Sequence, residues 1–278
     1  MKIGIAGLGL IGGSMAKAFK FHTENEVYGF DIDEVSFKRA FLVGAVDGRL
    51  DKDTIGQCDV IIVALYPDAT VNYIRENAPC IKKNAVVVDC CGVKQYVCEP
   101  CFNLAEEYGF EFYGGHPMAG TQFSGFTHAK ENLFGGASMI IVPKDTDDIF
   151  KLDRVKAIFT SIGFKNVTVT DAMTHDRIIA YTSQLAHVVS NAYVKSPNAQ
   201  IHKGFSAGSF KDLTRVAKLN ETMWTELFME NADFLTEEID RIADELKKYS
   251  KAIKEKDEKT LFELLKEGRI AKEESEKS

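Results

Sequence analysis

Gly7-Leu8-Gly9-Leu10-Ile11-Gly12 directly follows a short apolar run, Ile3 to Ala6, and opens a stretch of helical spacing from Gly12 to Phe21. A glycine-rich turn between a strand and a helix suits the first βαβ unit of a doubly wound parallel sheet, where a dinucleotide lies across the turn. Gly7 permits the tight turn, Gly9 lets the backbone approach a diphosphate, and Gly12 lets helix pack on strand. Leu10 and Ile11 lead from the turn into that helix, whose N-terminal N–H groups and dipole favour an anion. Asp31 ends the second apolar run, Val27 to Phe30, 19 residues after Gly12. Its carboxylate suits ribose hydroxyls and would repel a 2′-phosphate, so NAD is the expected cofactor rather than NADP. Asp33, just before Glu34, is the better placed helix cap.

Short β-branched runs continue to alternate with helix-period segments. Ile3 to Ala6, Val27 to Phe30, Val60 to Leu65, Val86 to Asp89, Phe110 to Tyr113, Met139 to Val142 and Val167 to Val169 read as strands. Gly12 to Phe21, Glu34 to Val43, Ala69 to Asn77, Lys94 to Tyr108 and Ile149 to Ile162 read as helices. After Thr170 the strand signal stops. The expected fold is therefore α/β: an N-terminal Rossmann-type doubly wound parallel sheet over residues 1–170, then an all-helical domain over 171–278. Thr222 to Lys254 contains no Gly or Pro and reads as one long helix, striped by Trp224, Leu227, Phe228, Asn231, Phe234, Leu235, Ile239, Ile242 and Leu246. Such a helix is expected to complete its core across a two-fold axis, giving a homodimer. Glu258 to Glu267 reads as a shorter helix, followed by a frayed end from Lys272 to Ser278.

Charge and cysteine usage exclude several function classes. The 34 Lys and Arg against 41 Asp and Glu leave a net charge of −7, so neither nucleic acid nor an anionic membrane surface is an expected partner. The six cysteines fall at 58, 80, 90, 91, 98 and 101. In a chain this long they suit a reduced cytoplasm rather than disulfide staples. No His or Cys stands at finger spacing around them, and no metal is expected. The charge-free run from Ile3 to Ala16 imitates a signal peptide, but its five glycines make a poor apolar segment and secretion is not expected.

Ligands of doubly wound sheets bind outside the carboxyl ends of the strands. Leu65 and Tyr66 after the third strand, and Asp89 to Gly92 after the fourth, are therefore expected to border the cofactor, with Cys91 near the nicotinamide. His116 lies in Gly114-Gly115-His116-Pro117-Met118-Ala119-Gly120-Thr121, read as a permissive loop just past the fifth strand. A neutral imidazole there can accept a proton from a substrate hydroxyl during hydride loss.

Taken with Asp89 to Lys94, the His116 to Thr121 loop, His175-Asp176, Phe210-Lys211-Asp212-Leu213-Thr214-Arg215-Val216-Ala217 and Met223-Trp224, the chain resembles the prephenate dehydrogenase family of tyrosine biosynthesis. The resemblance implies NAD-dependent oxidative decarboxylation of prephenate, a dianion, to 4-hydroxyphenylpyruvate. The family's catalytic histidine matches His116, its carboxylate-binding arginine matches Arg215, and its second-domain histidine matches His187. Thr121, Gly208 and Asp212 join the expected substrate site. Arg suits a carboxylate better than Lys. Asp212 lies three residues before Arg215 and could orient the guanidinium, while Gly208 precedes the same helix with free N–H groups.

Three positions depart from the common family pattern. Gly92 stands where many members have Ser, Gln122 where an acidic residue is common, and Gln184 where a histidine is frequent. They leave open the choice between prephenate and its aminated relative arogenate. Two rival readings remain. A 3-hydroxyacid-type dehydrogenase also joins a Rossmann domain to a helical one but places a catalytic lysine in the second domain. A non-catalytic NAD(H) sensor would have no use for His116 and Arg215.

Overall fold

The computed structural model describes residues 1–121 and 123–277. Eight strands form one sheet: β1 (Lys2–Ala6), β2 (Glu26–Phe30), β3 (Gly48–Arg49), β4 (Val60–Val63), β5 (Val86–Asp89), β6 (Glu111–Pro117), β7 (Ser138–Val142) and β8 (Asn166–Val169). Their order is β3-β2-β1-β4-β5-β6-β7-β8. From β3 to β6 every neighbouring pair is parallel. At the far edge of this parallel sheet β7 runs antiparallel to β6, and β8 follows β7 in parallel.

Helices α1 (Leu10–His22), α2 (Glu34–Leu42), α3 (Lys52–Ile55), α4 (Pro67–Asn77), α5 (Gln95–Tyr108) and α6 (Ile149–Thr160) connect the strands. The central strands read as unbroken β-branched runs because both faces are covered. Ile3, Ile5, Val60, Ile62, Val86 and Val88 point to one side, with Met15, Phe19, Ile158 and Phe159 of α1 and α6. Ala6, Ile61, Val63 and Val87 point to the other, with Val71, Ile74, Val97 and Cys101 of α4 and α5. The two-residue periodicity of a strand divides the sequence between these two cores. Asp33 caps α2, its carboxylate accepting from Val35 N and Ser36 N. That leaves Asp31 free of the capping role.

The chain then turns helical: α7 (Ala172–Ile179), a π-helical turn over Ala180–Leu185, α8 (Ala186–Tyr193), α9 (Gly208–Thr214), α10 (Glu221–Met229), α11 (Ala232–Glu255) and α12 (Glu258–Ser275). The single helix expected from Thr222 to Lys254 is corrected to two. Asn231 is buried and its amide is held by Asp176 O and Gln184 Oε1, so the chain turns at Glu230-Asn231 to present it. The end expected to fray from Lys272 stays helical through Ser275. By contacts the chain divides into Met1–Asn231 and Ala232–Ser278, so α7 to α10 group with the sheet. In the second unit Tyr249 donates to Leu264 O, tying α11 to α12. No helix among the described residues is long and apolar enough to cross a membrane.

Candidate active site

The strand order reverses between β1 and β4, and the crevice at their carboxyl ends is where the fingerprint sits. Gly7 has φ +88°, and a Cβ there would strike Ala64 O. A Cβ on Gly12 would overlap Gly7 O outright, so α1 can approach β1 only with glycine. At Gly9 a Cβ would meet nothing within 4 Å, so this glycine is not demanded by the protein's own packing. Gly9 caps α1 without any side-chain acceptor, and the first turn at Leu10 and Ile11 carries no acidic residue. Free N–H groups facing open space suit a diphosphate. Asp31 accepts from Leu8 N at 2.7 Å and Asp33 N at 2.8 Å. Those bonds fix the carboxylate beside the turn, and its remaining lone pairs suit ribose hydroxyls. These residues therefore fit a dinucleotide.

On the neighbouring loops, Leu65 is half-buried and Tyr66 is exposed at the N-terminus of α4. Asp89 is corrected from a cofactor contact to a supporting residue, because it is fully buried with both oxygens occupied. Oδ1 accepts from Gly115 N at 2.9 Å, and Oδ2 accepts from Cys91 N at 2.8 Å and from the ammonium of the equally buried Lys94. The pair ties the end of β5 to β6 and to the start of α5. Cys91 is likewise buried, its thiol 3.3 Å from Thr70 Oγ1 and pushed up by burial, which makes it a packing residue. Gly92 is half-buried, and a Cβ there would lie 3.3 Å from Leu227 Cδ2.

His116 is not in a loop. Strand β6 runs on through it, paired opposite Ile140 of β7, because Gly114 and Gly115 let the strand pass closely over Cys98 and Asp89 O. Nδ1 of His116 lies 2.9 Å from Nε2 of His175, and Nδ1 of His175 lies 2.7 Å from Oδ1 of Asp176. Burial, His175 and the Lys94 cation together push the His116 pKa well below the ordinary 6.5. The imidazole is therefore neutral at physiological pH.

The Asp176 carboxylate also accepts from Lys94 N at 2.7 Å and Gln95 N at 2.8 Å. It thus supplies α5 with the N-terminal acceptor that the α5 cap residue, Lys94, lacks. Asn231 donates to Asp176 O at 2.9 Å and to Gln184 Oε1 at 2.7 Å, while Gln184 donates to Leu227 O at 3.1 Å. Gln184 is therefore a buried structural amide that joins the π-helical turn to α10 and to Asn231.

His187 follows three residues later. Its Nδ1–H donates to Ser183 O at 2.8 Å, and its ring lies 4.0 Å from that of Trp224. Burial and the neighbouring Arg215 hold its pKa down. Arg215 closes α9, and its side chain is exposed. The expected support from Asp212 is corrected: both residues are exposed, and among the described residues no ion pair joins them. Gly208 is the first residue of α9, whose cap, Ala207, offers no side-chain acceptor. Thr121 is exposed and exchanges hydrogen bonds with Phe123 N at 3.2 Å and Phe123 O at 3.3 Å. Gln122 lies outside the described residues.

Sequence reasoning left His175, Asp176, Lys94 and Asn231 without roles. His175-Asp176 lies 59 residues from His116, and only the packing of α7 on α5 brings them together.

Two family models match the chain: prephenate dehydrogenase, nucleotide-binding domain, over residues 15–168, and prephenate dehydrogenase, dimerization domain, over 171–267. A prephenate dehydrogenase of Bacillus subtilis is 29% identical over 271 residues, covering 94% of this chain and 72% of the relative. A cyclohexadienyl dehydrogenase of Zymomonas mobilis is 29% identical over 281 residues, covering 97% and 94%. Among solved structures, prephenate dehydrogenase from A. aeolicus in complex with hydroxyphenyl propionate and NAD+ matches with a TM-score of 0.82 at 29% identity, over 99% of this chain and 98% of that one.

Proposed function

The chain belongs to the prephenate dehydrogenase family, and from that premise we propose that it carries out the NAD-dependent oxidative decarboxylation of prephenate to 4-hydroxyphenylpyruvate, CO2 and NADH in tyrosine biosynthesis. The observation that carries the reading is His116, a neutral imidazole held at the carboxyl end of β6 and tied to a buried His-Asp pair.

Gly7, Gly9, Leu10, Ile11 and Gly12 hold the cofactor diphosphate, Asp31 the adenosine ribose, and Leu65, Tyr66 and Gly92 border the rest. Bound NAD supplies the hydride acceptor. His116 accepts a hydrogen bond from the ring hydroxyl, drawing positive charge off that oxygen as the carbon beneath it loses hydride. The bond to the ring carboxylate breaks as CO2 leaves, its electron pair completes the aromatic ring, and the hydroxyl keeps its proton in the product. Arg215 grips a substrate carboxylate from the helical half, with His187 beside it and Thr121 and Gly208 at the margin. Arg215 stands in a chain of net charge −7, where a dianion needs a local cation.

A homodimer formed through the helical region is part of the proposal. α12 buries no residue, and Leu246, Ile253, Phe262 and Leu265 of α11 and α12 are exposed. An exposed apolar set of this kind suits a second copy. Six unpaired thiols suit the reduced cytoplasm.

The test is to mix the purified chain with NAD and prephenate, and separately arogenate, while following absorbance of the reduced cofactor. Turnover with prephenate is expected. Reduction with arogenate alone would reassign the substrate, and reduction with neither would refute the reading.

A further inference from the structure

The His116-His175-Asp176 chain constrains where protons lie on two rings. The Asp176 carboxylate only accepts, and it already takes Lys94 N and Gln95 N. The His175 nitrogen 2.7 Å from it, Nδ1, must therefore be the protonated one. A neutral His175 then turns a lone pair at Nε2 toward His116, and at 2.9 Å the facing His116 Nδ1 must donate. That leaves the proton-free nitrogen of a neutral His116 at Nε2, which no group among the described residues takes.

We propose that His175 and Asp176 are positioning residues that fix His116 as its Nδ1–H tautomer, so that Nε2 is held out as the acceptor for the substrate hydroxyl. This rests on the proposed reaction, because an acceptor is needed only where a hydroxyl is to be polarised. The alternative tautomer would aim an N–H at the hydroxyl and would set two lone pairs against each other between the rings. The surroundings reinforce the assignment. Burial, and after it the Lys94 ammonium paired with Asp89, disfavours a second proton on either ring, so tautomer choice rather than charge decides what His116 offers. Asp176 has no freedom to turn away, since it also holds the start of α5, and Asn231 pins its backbone oxygen. Holding an imidazole in one tautomer through a buried carboxylate is a known source of catalytic power; here the hold passes through a second imidazole.

Nitrogen-15 imidazole spectra of the full chain with NAD bound, at neutral pH, are expected to show both His116 and His175 protonated at Nδ1 and bare at Nε2. A His116 proton on Nε2 overturns the proposal. These spectra need no substrate, so what they show is independent of any failure to turn over prephenate. In kinetics, His175→Leu is expected to lower kcat roughly 10- to 100-fold, part of what a positioned acceptor contributes, with KM for prephenate and Kd for NAD changed less than about 3-fold. His175→Gln keeps an oxygen that can accept from Nδ1–H and is expected to recover most of that loss. Unchanged kcat in His175→Leu, or parallel losses of kcat, KM and NAD binding that His175→Gln does not relieve, would reduce the pair to a packing role and overturn the proposal.

Discussion

Gly9 and Gly12 stand three residues apart in one turn, yet the structure gives them opposite reasons for being glycine, and replacing each with alanine separates the two. At Gly12 a Cβ would lie far inside the 3.0 Å that real Cβ atoms keep, against Gly7 O, with Ala64 Cβ at 3.0 Å. Backbone cannot swing aside as a side-chain tip can, so overpacking of about 1–3 kcal/mol or more is expected. At roughly 2–4 °C per kcal/mol for a domain of this size, Gly12→Ala should melt about 2–12 °C lower. At Gly9 the backbone has φ −73° and ψ −154°, which alanine adopts, and the Cβ would meet nothing within 4 Å. The lower helix-capping preference of alanine, up to about 1 kcal/mol, roughly cancels the ~0.4–1 kcal/mol gained from a stiffer unfolded chain. Gly9→Ala should therefore melt like the parent, within roughly 2 °C. Its methyl would occupy the space meant for the diphosphate. Losing one charge-assisted hydrogen bond, ~1.5–3 kcal/mol, weakens NAD about 10- to 100-fold. Thermal unfolding paired with NAD titration calorimetry reads both quantities. A Gly9→Ala protein that binds NAD as tightly as the parent would refute the placement of the diphosphate over Gly9.

Asp31→Ser should raise the NADP-to-NAD ratio of kcat/KM by about 10-fold or more in steady-state assays with the two cofactors; an unchanged ratio would remove Asp31 from the ribose site. Lys94→Met strands the fully buried Asp89 without its counter-ion and should cost about 3–5 kcal/mol by urea unfolding, whereas adding Asp89→Asn should restore much of it. Glu230 faces Glu226, Asp68 and Asp176, and burial together with those carboxylates raises its pKa from 4.5 to about 8. The folded state holds this proton more tightly than the unfolded one. Its stabilising effect is therefore complete below pH 4.5 and lost as pH rises through about 8. The melting temperature of Glu230→Gln should vary less over that window than that of the parent, and parallel curves would contradict the assignment.

The nucleotide half was legible because its signals are local. A strand, a glycine turn, a helix and a distal Asp31 lie in sequence order, and the apolar runs on both faces of a parallel sheet need no knowledge of partners. The remainder depends on pairings between distant segments. His116 read as a loop residue because Gly114 and Gly115 suggest slack, whereas they admit a strand pressed against Asp89 and Cys98. The break at Glu230-Asn231 has no Gly or Pro to announce it; it is set by a buried amide reaching Asp176 and Gln184. Asp212 and Arg215 have the spacing of a helix pair, but Arg215 lies at the end of α9, where the helical register stops.

Catalysis as proposed requires His116 and Arg215 to act on one dianion, the first on the reacting hydroxyl and the second on a carboxylate. Steady-state kinetics of His116→Asn and Arg215→Ala with NAD and prephenate measure this most directly. His116→Asn should lower kcat roughly 10²- to 10⁴-fold with NAD affinity nearly kept, and Arg215→Ala should mainly raise KM for prephenate. The reverse pattern, with KM lost at His116 and kcat lost at Arg215, would contradict these roles.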